Sequence, residues 1–445
     1  MKSFKTTLIF LIVELSFVLP TPNSAVITCY HLVGNSWEKA QVVENASTHQ
    51  IKEICNESDE QKQCVEVKGS VKILYEDSFK GIPKLSEIEV YSETNLEEIE
   101  PGTFTDLPKL DILDLSGNNL QEIKSGTFVN LKVQHLILQR NSISLLREGA
   151  FVNLSDVQKL SLERNNLQEL KRGVFQELYV VQLEFGSNNI SKIEVGTFAS
   201  VFPRDEGGII LNLSNNSFTE IDASVFDYKY SVYALMLAKN SISILRPGDL
   251  RNLPNLKYVL LSENKLKEVP EGVFNGSKIV SIELDNNEIS FIGSKAFDDM
   301  KDLTFVNISN NKLKEWNNDW FCGEGAKVIR LSYNYLETIP VEAFTNIPGG
   351  SMLKLDHNRI QSISDSAFKN VTYLDSIDLS YNEIQEWNVD LMRNVKTDGA
   401  VDLNGNKIKC PESGSNSLAP KARIVYLSYS CPQVIEKALY FSDEV

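Results

Sequence analysis

Histidine is scarce in this chain. Only four occur in 445 residues, His31, His49, His135 and His357, and their separation leaves no His-x-x-x-His pair to hold a metal. Gly-x-Ser-x-Gly, a Gly-rich phosphate loop and Cys-x-x-Cys are missing as well. Cys322, in "DWFCGEG", has no histidine near it in sequence. Acidic pairs such as Glu97/Glu98 and Asp298/Asp299 read as solvated faces. Nothing converges on catalysis, so the expectation is no enzyme, no metal and no cofactor. Positive charge is also in deficit, with 44 Lys plus Arg against 60 Asp plus Glu, a net charge of −16. That disfavours nucleic acid, whose capture rests on basic patches. The cluster His135, Arg140, Lys159 and Arg164 has Glu163 among it and reads as scattered solvating charge. Long hydrophobic runs are lacking too. The run from Leu8 to Leu19 is too short for a membrane span and contains Glu14. Placed after Lys2 and Lys5 and before Ala25, it reads as a secretory signal peptide over residues 1–25. The tail "VIEKALYFSDEV" is neither an anchor nor a retention signal. The expectation is a secreted, extracellular chain without a membrane span.

What the sequence has in quantity is repetition. "LDLSGNNLQEIKSGTF" sets Leu113 and Leu115 before Asn118, and the same apolar-x-apolar-x-x-Asn pattern returns through Leu136/Leu138/Asn141 as far as Val401/Leu403/Asn406. From Asn118 to Asn406 there are 288 residues over 12 intervals, a mean step of 24. One step is longer, 28 residues between Asn188 and Asn216, and it contains "FPRDEGG". A second marker keeps phase: Phe128, Phe151, Phe175, Phe198, Phe226, Phe274, Phe297, Phe321, Phe344 and Phe368 each follow such an Asn by ten residues.

Two markers in register over thirteen copies, at a period within the leucine-rich-repeat range, make the chain resemble extracellular leucine-rich-repeat proteins of the 24-residue class. Within that group it is similar to Toll-type receptor ectodomains and secreted leucine-rich immune proteins. The resemblance implies an α/β-type repeat solenoid: a horseshoe with a parallel β-sheet on its concave face and mostly irregular or short helical convex segments. A unit this small cannot bury its apolar face alone, so stacked copies share one core. The Asn then has a structural task. Where the chain turns inward after the strand, its amide supplies donors and an acceptor to backbone groups that would otherwise be buried without partners. The Phe marker fills the convex side of the core as a spine.

The pattern extends upstream to Ile88/Val90 and Val65/Val67, with Phe79 and Phe104, although "YSETNLEEI" holds one residue more than its counterpart. The expected organisation is therefore an N-terminal cap over 26–64, a solenoid of about 15 repeats over 65–409, and a C-terminal cap and tail over 410–445. Cys410 and Cys431 are expected to close the C-terminal cap as a disulfide. One pair is expected among Cys29, Cys55 and Cys64. The leftover N-terminal cysteine and Cys322 are too far apart along a stiff solenoid to pair, so each is free or bonds a partner chain. Neither cap carries the Cys-x-Cys step common in the family. Sequons for glycosylation stand at Asn45, Asn56, Asn153, Asn189, Asn212, Asn215, Asn275, Asn307 and Asn370, none of them a ladder Asn.

With chemistry excluded, the outward positions of the strands become the candidate site. The position before the first core residue reads Ala234, Tyr258, Ser281, Phe305, Val328 and Met352 over six repeats; the middle position reads Met236, Leu260, Glu283, Asn307, Arg330 and Lys354. Met236, Tyr258, Leu260, Phe305 and Val328 are thus the expected ligand-binding residues for an extracellular protein or glycan. Half-burial of these side chains by their neighbours is the competing structural account. The expected function is protein-protein or pattern recognition, in the manner of innate immunity. An extracellular matrix or adhesion protein, and a soluble enzyme inhibitor, are the rival functions.

Overall fold

The computed structural model describes residues 25–46 and 63–408, apart from 34–35, 81, 83–84, 106, 227–231, 251, 275, 299, 322–324, 388–390, 392–394 and 398–399, and also 423–425. The leader, Cys55, Cys322, Cys410, Cys431 and the sequons Asn56 and Asn275 lie outside the described residues. Contacts divide the chain into two compact units, one of residues 1–218 and 224–235 and one of 219–223 and 236–445.

The first unit starts with an antiparallel pair, β1 (Ala25–Val33) and β2 (Ser36–Ala46), and β1 also pairs antiparallel with β3 (Gln63–Gly69). From β3 onward pairing is parallel, one strand per repeat: Leu85–Val90, Leu110–Asp114, Val133–Ile137, Phe151–Ser161, Phe175–Glu184 and Ile209–Asn212. In the second unit the strands are Tyr258–Leu260, Ser281–Glu283, Phe305–Asn307, Val328–Arg330, Met352–Lys354, Ser376–Asp378, Ala400–Asp402 and Arg423–Val425, again parallel. Apart from Phe151–Ser161 and Phe175–Glu184, of 11 and 10 residues, the strands are short and bury an alternating aliphatic pair: Leu113 and Leu115 are fully buried while Ile112 before them and Asp114 between them are half-buried. Two-residue strands such as Glu122–Ile123 and Leu145–Leu146 form the return side. Among the described residues helix is confined to single 3-10 turns such as Ser92–Thr94 and Ala223–Val225.

The ladder expected of the asparagines is formed. Asn141 Nδ2 donates to Leu115 O of the preceding repeat at 3.0 Å and to Leu138 O of its own at 3.1 Å, and its Oδ1 accepts from Leu120 N at 3.1 Å. The same set recurs down to Asn406, which bridges Leu379 O, Leu403 O and Ile384 N. Every ladder Asn is buried except Asn216, which closes the long repeat and is half-buried. The residue before each of them is in the left-handed region, as at Arg140 (φ 56°) and Glu263 (φ 56°), which swings the chain out of the strand. The extra residue of "YSETNLEEI" is absorbed by the Ser92–Thr94 turn, and buried Thr94 takes the ladder place, donating to Asn118 Oδ1 at 2.7 Å.

The phenylalanines stack as a spine, Phe79, Phe104, Phe128, Phe151, Phe175 and Phe198 in the first unit and Phe274, Phe297 and Phe321 in the second, with centroids 5.2 to 6.5 Å apart. Two tryptophans join it unannounced. Trp320 Nε1 donates to Ile292 O and Trp316 Nε1 to Ala343 O, each at 3.1 Å, and Trp316 meets the Phe344 ring edge-on. Indole brings bulk and one donor, so each is buried with its N–H on a carbonyl.

Candidate functional site: the outward face of the main sheet

Because strand side chains alternate, every other residue points away from the core and the parallel register lines these up into lanes. In the second unit Tyr258, Ser281, Phe305, Val328 and Met352 are successive register partners, and so are Leu260, Glu283, Asn307, Arg330 and Lys354. Met236 stands beside Leu260, since Leu237 N donates to Leu260 O at 2.8 Å. The apolar lane of the sequence is therefore one physical row, broken at Ser281. Its members are half-buried: Met236, Tyr258, Leu260, Phe305, Val328 and Met352 all keep part of their surface, and Ala234, which the contacts place with the first unit, is buried. Arg330 covers Phe305, its guanidinium 5.1 Å from the ring centroid. One face of the Phe305 ring is thus shared with Arg330.

Charge differs along the sheet. In the first unit Glu66, Glu89 and Asp114 are register partners in the middle lane. Glu66 is fully buried and accepts from Tyr91 Oη at 2.7 Å, while Lys68 Nζ lies 3.6 Å from its other oxygen and 4.1 Å from the Tyr91 ring centroid. Burial pushes the Glu66 carboxyl up to about 7, against the opposing pull of Tyr91 and Lys68, and burial raises Glu89 too. His135 and Lys159 are adjacent register partners, and burial together with the Lys159 charge holds the imidazole below its ordinary range. The basic cluster of the sequence thus contributes less charge than its composition suggests. In the second unit Asp378 is lowered: burial would raise it, but donation by Ser380 and Lys354 outweighs that.

The sequons split by placement. Asn153, Asn189, Asn215 and Asn370 are exposed, whereas Asn212 and Asn307 are half-buried in the middle lane. Asn212 Nδ2 donates to Glu184 at 2.6 Å, and Asn307 Oδ1 accepts from Ser309 N at 3.2 Å. In the long repeat Val201–Pro203 pairs with Leu178–Val180, and the Phe202 ring packs 5.2 Å from that of half-exposed Tyr179. Cys64 is free and buried, with its thiol 3.6 Å from Ser86 Oγ and pushed far up by burial. A pair among the first three cysteines would therefore have to join Cys29 to Cys55. Among the described residues no group of three or more His, Cys, Asp or Glu is placed to hold a metal ion, and no helix is long and apolar enough to cross a membrane.

One feature went unread in the sequence. Tyr333, His357 and Tyr381, each the residue just before a ladder Asn, form a stack with centroids 4.2 and 4.5 Å apart and planes within 20° of each other. Aligning that single column of the repeats is the signal that finds it.

The leucine rich repeat model matches seven overlapping segments that together span residues 83–190 and 210–408, well over half of the chain. The chain belongs to the leucine-rich-repeat family. Among solved structures it is similar to Toll in the Drosophila Toll–Spatzle complex (TM-score 0.58, 20% identity, covering 75% of this chain and 49% of that one). It is also similar to a leucine-rich-repeat protein of Leptospira interrogans (TM-score 0.56, 18% identity, covering 76% and 84%). The chain spans about half the length of the Toll chain it matches. At these identities the likeness is one of fold.

Proposed function

We propose that this is a secreted, glycosylated recognition protein that binds an extracellular protein on the outward face of its main sheet, in the service of innate immunity. The observation that carries the reading is the in-register row of Tyr258, Phe305, Val328 and Met352, with Met236 and Leu260 beside it, partly exposed on the outward face of the second unit's strands. Partly exposed aromatic and aliphatic groups aligned across rigid strands are what an interface core uses. The fold it shares with Toll, solved there in complex with Spatzle, supports the same reading. A glycan on Asn307 would project from the middle lane and confine a partner to part of the second unit's sheet. A Cys410–Cys431 bridge belongs to this proposal, and so does a disulfide-linked partner through a remaining cysteine.

The first test is of compartment and modification. Expressed with its native leader in eukaryotic cells, the chain is expected in the medium, shortened by about the length of residues 1–25, and to shift to lower mass on enzymatic removal of N-glycans. Retention inside the cell with no such shift would defeat the secreted reading.

A further inference from the structure

The stack of Tyr333, His357 and Tyr381 is poorly explained by folding alone. All three residues are in the left-handed region, at φ 56°, 54° and 53°. Bulky side chains are disfavoured there, and Gly or Asn is cheaper. The chain itself uses that solution at the equivalent places Gly117, Asn215, Asn286, Asn310 and Gly405, which make the same turn at φ 55° to 70°. Aromatic rings appear in three successive repeats and nowhere else in this column. They are also open to water, with Tyr333 at 50% and Tyr381 at 57% exposure, a standing liability for a surface with no use for them.

The way the rings are presented narrows the ligand. His357 is sandwiched between the two tyrosines, and Gly405 lies so close over Tyr381 that an added Cβ would come within 2.7 Å of its Cδ1. Both faces of His357 and of Tyr381 and one face of Tyr333 are thus taken, which leaves little flat platform for a sugar. Ring edges and phenol hydroxyls point outward, and the edge of an aromatic ring is its electropositive part.

Beside the stack, on the far side of the ladder Asn, Tyr335 is 37% exposed and carries the Arg359 guanidinium 4.5 Å from its centroid. Arg359 has no carboxylate within ion-pair distance among the described residues, and neither it nor the three phenols makes a side-chain hydrogen bond there. Three neighbouring acids are engaged: Asp356 by Ser332 and His357, Asp378 by Lys354 and Ser380, and Glu383 by Lys407. The surface therefore holds unspent donors and one uncommitted cation, while the acids Asp356, Asp378 and Glu383 beside it are already bonded. Its natural complement is rich in acceptors and negative.

We propose that Tyr333, Tyr335, His357, Arg359 and Tyr381 form a docking surface for an acidic segment of a protein partner, separate from the apolar row. Rings pre-set by stacking lose little freedom on binding, and a guanidinium already resting on a ring is aimed to take a carboxylate.

The test uses the full chain and a dye-labelled peptide of alternating glutamate and alanine, followed by fluorescence anisotropy at low salt. A glutamine counterpart and a heparin oligosaccharide are the comparison probes. The expected result is that the glutamate peptide binds and the glutamine peptide does not. Combined Tyr333→Asn and Tyr381→Asn, which installs the residue found at Asn286 and Asn310, should weaken binding about tenfold or more without lowering the melting temperature. Arg359→Gln, outside the stack, should weaken it as well. If the double variant melts early, Arg359→Gln alone decides, its wild-type affinity overturning the proposal. No binding of the glutamate peptide by the native chain, equal binding by native chain and variants, or binding of heparin alone would each overturn it.

Discussion

Phe128→Ala is expected to cost about 3 to 5 kcal/mol, read as a fall in the chemical denaturation midpoint. Phe128 is fully buried and lies between Phe104 and Phe151, with centroids 5.5 and 5.3 Å away. Truncation therefore removes both stacking partners' contact at once and leaves a cavity that two neighbouring repeats line. In a solenoid each repeat rests on its neighbours alone, so the loss should open that stretch of the first unit before the rest. Val129→Ala, at the half-buried position next to it, is the control and should cost under about 1 kcal/mol. Equal midpoints for the two variants would show that the spine does not carry the core.

Asn264→Leu is expected to be the next most damaging, at about 1 to 3 kcal/mol. The side chain is similar in size but has none of the bonding capacity. Asn264 donates to Leu237 O at 2.9 Å, Leu261 O at 3.1 Å and Ser262 O at 3.2 Å, and accepts from Ile242 N at 3.0 Å. Leu261 O retains a second donor in Asn287, Leu237 O one in Asn240 and Ser262 O one in Lys239 N, so the group left uncompensated is Ile242 N. Each such buried group left without a partner costs about 1 to 3 kcal/mol. Lys265→Ala, one residue on and exposed, should leave the midpoint nearly unchanged. A loss for Asn264→Leu no greater than for Lys265→Ala would refute the ladder.

Both predictions concern features legible in the sequence, and the reason is physical. A solenoid imposes the same backbone problem at every turn, so its solution must recur at a fixed step, and Asn and Phe recur. Features that solve a local problem once leave no such trace. Trp316 occupies the slot filled elsewhere by Ile123, Val269 or Ile339, and only the coordinates show its indole N–H reaching Ala343 O. Thr94 replaces a ladder Asn in a repeat whose extra residue was visible but whose 3-10 solution was not.

The candidate site was legible in part. Alternation fixed which residues face outward, and the register confirms Tyr258, Phe305, Val328 and Met352 as one row with Ser281 between the first two. Coverage was not legible, because it depends on where a long neighbouring side chain lies, as Arg330 does over Phe305. The aromatic stack escaped notice for a different reason. Its residues sit in the turn, a column that the apolar periodicity does not sample.

The most direct test of the recognition account is a differential capture. Native chain, Tyr258→Ala, Phe305→Ala and the double variant, immobilised in equal amounts, would be exposed to extracellular fluid from the source tissue and the retained proteins quantified by mass spectrometry, with the melting temperature of each variant measured alongside. The account predicts a partner held in near-stoichiometric amount by the native chain and lost in graded fashion from the variants, each truncation costing about 2 kcal/mol of affinity, while melting is nearly unchanged. Retention of the same proteins in the same amounts by all four chains would contradict it.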